Sequence, residues 1–154
     1  MKKLTRQPFR NTALLLSFLL LQLLPAVVTS SANSADRLHM VSETTFMDEG
    51  TGKMWQFDRS KRIDKLDDAI EVLAALNSGV YHDWRFPTKQ ELFEFFQIFD
   101  LKNNGSVKPK LEGSYWLQED DGAIEVGSWE IGDGCGPGRK FFTGKTGYVR
   151  AVRP

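Results

Sequence analysis

The chain has 154 residues, 41% of them hydrophobic, and 20 Lys and Arg against 20 Asp and Glu give a formal net charge of zero. That length predicts one domain, and the charge balance excludes a nucleic-acid binder built on a basic face. A single cysteine, Cys135, excludes an internal disulfide scaffold and a cysteine-cluster zinc site.

Residues 1–35 carry Lys2, Lys3, Arg6 and Arg10 and no acid. An apolar run from Ala13 to Val28 follows, broken by Ser17, Gln22 and Pro25, and then small residues from Thr29 to Ala35. A basic start, a short apolar middle and a small-residue exit describe a secretory signal peptide. The run is short and interrupted for a bilayer span, which takes ~20 apolar residues; an uncleaved N-terminal anchor is the alternative. Cleavage after Ser30, Ala32 or Ser34 would leave small residues where a signal peptidase reads. The expectation is a periplasmic or secreted protein that meets the membrane only transiently, through its signal. Residues 36–154 then hold 16 basic and 20 acidic residues, a net charge of about −4. With that, the exclusion of nucleic acid rests on export and acidity.

Within 36–154 the opening residues, 36–45, read as extended. Asp48-Glu49-Gly50-Thr51-Gly52 groups turn formers before the alternating Lys53-Met54-Trp55-Gln56-Phe57, a hairpin signal. Asp64–Asn77 predicts a first helix, with Leu66, Ala69, Ile70, Leu73 and Leu76 on one face, Asp64 as N-cap and Gly79 as stop. Pro87 and the Thr88…Glu91 capping box start a second helix, which buries Leu92, Phe93, Phe95, Phe96 and Phe99. Turns at 103–106 and 120–122 flank strands at 115–117 and 123–131. A Gly-rich loop, 132–138, contains Cys135. Two strands, 139–142 and 147–152, close the chain. Early helices and late strands predict an α+β domain with an antiparallel sheet.

Candidate chemistry is sparse. The string Gly138…Gly144-Lys145-Thr146 misses P-loop spacing, with five residues between its glycines where four are needed. His39 and His82 are too few for a histidine metal site. The acidic clusters Asp48-Glu49 and Glu119-Asp120-Asp121 lack a calcium-loop pattern and read as solvated turns. No metal and no cofactor are expected. Trp55, Trp84, Trp116 and Trp129 read mainly as core. One or two of them could instead stack on a sugar ring or a protein partner, with Tyr81, His82 and Asp83 as polar handles beside Trp84.

Thr51-Gly52-Lys53-Met54-Trp55-Gln56, Asp83-Trp84-Arg85-Phe86-Pro87-Thr88 with Glu91-Leu92, Tyr115-Trp116 and Tyr148-Val149-Arg150-Ala151-Val152-Arg153 occur in this order. Together they resemble the Lcl C-terminal domain family, bacterial exported domains named after the terminal domain of a collagen-like adhesin. The likeness spans roughly Phe46 to Arg153, and Trp84-Arg85-x-Pro87-Thr88-x-x-Glu91-Leu92 is its specific part. It implies a C-type-lectin-like fold related to formylglycine-generating enzymes: two helices packed on a twisted antiparallel sheet, with long loops forming a binding surface. Phe86 and Leu117-Gln118 depart from the pattern, and the copper-binding cysteine pair of the enzymes is missing. In this motif Trp55, Trp84, Arg85, Pro87, Thr88 and Glu91 have structural roles.

The reading that follows is an exported, non-enzymatic binding module for a glycan or an envelope or surface protein. Its contacts are expected on the loops between Asn103 and Tyr148, at Trp116, Trp129, Arg139 and Lys140. Two alternatives remain: an exported enzyme using Cys135 or acidic loop residues, and a structural subunit that pairs with another chain through Cys135. The oligomeric state is not legible.

Overall fold

The computed structural model of the protein describes residues 36–132 and 138–154. The proposed signal segment, and Cys135 with most of its Gly-rich loop, lie outside the described residues. The domain is α+β, with two helices and two antiparallel sheets. The first sheet has the order β1 (Leu38–Met40), β2 (Thr45–Asp48), β3 (Lys53–Gln56), β7 (Val152–Arg153). The second joins β4 (Tyr115–Gln118), β5 (Ile124–Ile131) and β6 (Arg139–Thr143). Helices α1 (Leu66–Asn77) and α2 (Lys89–Asp100) fall between β3 and β4 in the chain.

The hairpin at Asp48–Lys53 forms as its turn residues predict. Its tightness has a source beyond glycine, because Asp48 is 3% exposed rather than solvated. The Asp48 carboxylate accepts from Arg37 Nε (2.6 Å) and Nη2 (2.8 Å), from the Gly50 amide (2.9 Å) and from the Thr51 hydroxyl (2.8 Å). Burial pushes this carboxyl's pKa up, but those donors outweigh it and hold the group below its ordinary value.

Two helix starts contrast. At α2 the predicted capping box is present: Thr88 Oγ1 accepts from the Glu91 amide (3.1 Å), and the Thr88 amide donates to Glu91 Oε2 (2.8 Å). At α1, Asp64 is not the cap. Lys65 holds that position in extended conformation with no side-chain hydrogen bond, and Asp67 and Asp68 in the first turn face the positive end of the helix dipole instead. The apolar face of α1 is only partly covered, with Ala69 buried while Leu66 and Ile70 stay exposed.

Helix α2 joins the two sheets. Phe95 stacks on Trp55 of β3 (centroids 4.7 Å) and on Phe46 of β2 (5.9 Å), while Phe96 meets Tyr115 of β4 edge-on at 6.1 Å. Leu92 and Ile98 complete this face; the expected Phe93 and Phe99 are half-buried at its margin. Each such fully buried side chain contributes about 1.5–3 kcal/mol. Helix α1 covers the opposite side, where Ala69 packs with Phe86, Trp116, Val126 and Val149, and where Leu73 and Leu76 flank Met54, Trp84 and Ala151.

The single sheet and the closing strand 147–152 both need correction. Residues 147–151 belong to no regular strand. Gly147 bridges Ile63 and Tyr148 bridges Tyr115 in parallel; the chain then crosses to the first sheet, where Val152 pairs with Trp55 and bridges Arg85. One continuous strand would have merged the sheets. The change of partner after Tyr148 keeps them apart.

Candidate functional site

The Trp84-Arg85-x-Pro87-Thr88-x-x-Glu91 string builds an ion-pair junction around the buried Glu91 carboxylate. Arg85 Nη1 and Nη2 donate to Glu91 Oε2 and Oε1, both at 2.7 Å, and Lys53 Nζ lies 2.7 Å from Oε1. Arg85 also donates to the Phe86 carbonyl (3.1 Å), so it serves a carboxylate and a carbonyl at once. Burial pushes Glu91 up, yet the Arg85, Lys53 and Thr88 donors prevail and lower its pKa to about 2. Pro87 is buried, and its carbonyl accepts from the Gln118 amide (3.1 Å), tying the motif to β4. Trp55 and Trp84 are core residues at 2% and 6% exposure. These six residues are engaged in core packing, helix capping or ion pairing.

The residues expected to touch a ligand are not brought together. Trp116 is a core residue, 6% exposed among Phe86, Val126 and Val149. Trp129 and Arg139 do line a common cavity of about 430 Å³ with Phe96, Leu111 and Ile131. Their polar groups are already engaged: Trp129 Nε1 donates to the Lys89 carbonyl (2.9 Å), and Arg139 holds Asp100 bidentately and the Trp129 carbonyl. Lys140 alternates to the other face of β6, exposed, with its ammonium 5.5 Å from the Phe142 ring centroid. The acidic loop residues are likewise in structural use. Glu119 accepts from the Lys89 amide at the start of α2 (3.0 Å), and Asp121 accepts from the Ala123 amide (2.9 Å).

A second groove lies between the end of α1 and the β1–β2 turn. Two hydrogen bonds set its position. Asn77 Nδ2 donates to the Trp84 carbonyl and Asn77 Oδ1 accepts from the Trp84 amide, both at 2.8 Å, which clamps the loop 78–83. Inside that loop Tyr81 packs edge-on against Trp84 (centroids 5.9 Å, 81°), and the Arg153 guanidinium covers its ring at 4.2 Å. Asp83 fixes Arg153 through both carboxylate oxygens, at 2.5 and 3.0 Å, and this hydrogen bonding lowers the Asp83 pKa. Opposite, the amides of Val41 and Ser42 both donate to the Thr45 carbonyl, and Ser42 Oγ shares a hydrogen bond with Thr45 Oγ1 (2.8 Å). The resulting cavity is about 500 Å³, lined by Val41, Leu76, Val80, Tyr81 and Trp84 on its apolar parts and by Ser42, Thr44, Thr45 and Gln56 on its polar ones.

This lining has no acid and no base, in a chain of which 26% is charged. Val80 is 86% exposed and Val41 46%, so apolar surface continues past the rim. A neutral pocket with apolar walls and a row of hydroxyls suits an uncharged ligand that has one apolar face. Tyr81 and Trp84 had a signal in the sequence, as an aromatic pair with polar neighbours. Ser42, Thr44 and Val80 had none beyond an apolar residue following Gly79.

Among the described residues no three His, Cys, Asp or Glu side chains lie together in a metal-holding group, and no helix is long and apolar enough to cross a membrane. In comparisons with known proteins, the chain matches no family model, no curated protein and no solved structure.

Proposed function

We propose that the protein is an exported, non-enzymatic binding module that recognises an uncharged glycan through the groove between the α1 end and the β1–β2 turn. The observation that carries this reading is the neutral lining: Tyr81 and the exposed Val80 supply an apolar wall backed by the buried Trp84, and Ser42, Thr44 and Thr45 supply hydroxyls that can exchange hydrogen bonds with a polyol. Membership of the Lcl C-terminal domain family, and with it a C-type-lectin-like fold, belongs to the same proposal. Support for it comes from the two helices, the antiparallel sheets and the structural part played by the Trp84–Glu91 string. Export to the periplasm or beyond is proposed from residues 1–35.

A second reading, a protein ligand docking an apolar side chain in the groove, is favoured by Val80, which is too exposed to serve the core. One experiment separates the two. The side-chain resonances of Tyr81 and Trp84 are followed by NMR while neutral oligosaccharides, and then short apolar peptides, are titrated into the purified protein. The glycan reading expects saturable shifts at both residues with the saccharides. It also expects V80D to weaken binding at least about tenfold while changing stability by less than about 0.5 kcal/mol, as exposed positions do. Shifts confined to Trp129, or seen with peptides alone, would refute it.

A further inference from the structure

Four arginines of the domain, Arg37, Arg85, Arg139 and Arg153, each grip a carboxylate with two nitrogens. The most deeply buried one does not. Arg150 is 0% exposed and meets no carboxylate among the described residues. Its Nη1 donates to the carbonyls of Gln56 (2.7 Å) and Phe57 (2.5 Å), its Nη2 to the carbonyl of Lys110 (2.7 Å), and its Nε has no partner. Three carbonyls satisfy donors but supply no counter-charge, and a buried cation without one is costly. Burial accordingly pulls the Arg150 pKa down.

Arg150 forms part of the wall of a cavity of about 420 Å³ that also takes in Arg59, Lys110, Ser60, Tyr148 and Asp58. The Arg59 guanidinium carbon lies over the Tyr148 ring, 3.8 Å from its centroid, and one of its nitrogens, Nη1, bonds the Glu112 carbonyl and the Tyr115 hydroxyl. Its Nε and Nη2 have no protein acceptor among the described residues, and Lys110 has no acidic partner there. Around this cavity three cations therefore face one acid, Asp58. A cleft lined mostly by one sign of charge focuses the field and raises the local concentration of ions of the opposite sign. The preorganised, planar guanidinium of Arg59 provides the donors for a bidentate contact with an oxyanion.

We propose that this cavity is an anion site for a phosphate group, held by Arg59 and Lys110 at its mouth, with the sealed Arg150 charge acting from the wall through protein of low polarity. It shares no lining residue with the neutral groove and does not depend on what that groove binds.

The test is thermal unfolding of the purified protein in low-millimolar inorganic phosphate, against chloride and acetate at equal ionic strength. A parallel arm uses glycerol phosphate in place of the free ion. The proposal expects phosphate to raise the melting temperature saturably, as a ligand bound only by the folded state does, while acetate and chloride leave it unchanged. A rise with the ester as well identifies the ligand as a terminal phosphate on a larger molecule; a rise with the free ion alone identifies the free ion. In the R59A/K110A double variant, which changes exposed and half-exposed side chains, phosphate affinity falls at least about tenfold, since charge-assisted hydrogen bonds are lost. An equal rise in that variant, the mark of general salt exclusion from protein surfaces, or no rise in the wild type, overturns it.

Discussion

Replacing Glu91 by glutamine keeps the shape of the side chain and removes one negative charge from beneath Arg85 and Lys53. Four donor contacts converge on the carboxylate at 2.7–2.8 Å, and its side chain is 8% exposed. A carboxyl held at about 2, against an ordinary value of 4.5, corresponds to about 3 kcal/mol of stability. Because the side chains of Arg85 and Lys53 are 38% and 30% exposed, solvent screens part of this, and about 2 kcal/mol is the expected loss for E91Q near neutral pH. The sign of the pH dependence follows from the lowered pKa. The stabilisation is complete above the ordinary glutamate range and is lost as pH falls from about 4.5 towards 2. Urea unfolding of both proteins at neutral pH and near pH 3 checks the sum. The gap between wild type and E91Q narrows at the lower pH, and acid effects on other carboxylates cancel in the difference. A gap below about 0.5 kcal/mol at neutral pH, or one that does not narrow in acid, would refute the reasoning.

Other outcomes are open to the same measurement. D48N leaves two Arg37 donors facing a neutral amide at a 3% exposed position and costs about 2 kcal/mol in urea unfolding. T88A deletes the acceptor for the Glu91 amide and lowers stability by about 1 kcal/mol, with T88S close to wild type. G147A places a methyl 2.8 Å from Val126 Cγ1 and 3.1 Å from the backbone of Ser114 and Tyr115; backbone cannot step aside, so about 2–3 kcal/mol is lost on unfolding.

What the sequence made legible was local. The Thr88–Glu91 box and the bonds from Gly50 and Thr51 to Asp48 are made within a few residues, so short windows contain them. Arg85 and Glu91 are six residues apart and could be foreseen as a pair of some kind. Asp48 reads as a solvated turn because its partner, Arg37, stands eleven residues upstream, just before β1. Trp116 was misassigned because alternation along β4 says which residues share a face, but not that α1 covers that face. The groove has contributors from 41–45, 56 and 76–84, and no periodicity relates those segments. Arg150 was the least legible: an arginine in an alternating string looks solvent-facing, and its three carbonyl partners lie 40, 93 and 94 residues away.

The segment from Gly147 to Arg153 has one further consequence, for the order in which the molecule can be made. It touches Ile63, Ser60, Tyr115, Gln56, Arg85 and Trp55, so both sheets and both helix-covered cores are closed by one short segment that follows all of them in the chain. A growing chain can form the β2–β3 hairpin and α2 early, but it has nothing to seal them with until those residues arrive. Sealing is therefore a late step, and its pairings, such as Val152 with Trp55 and Gly147 with Ile63, join residues far apart in the chain. Until that segment docks, one edge of β3 is unpaired and the two sheets share no seam.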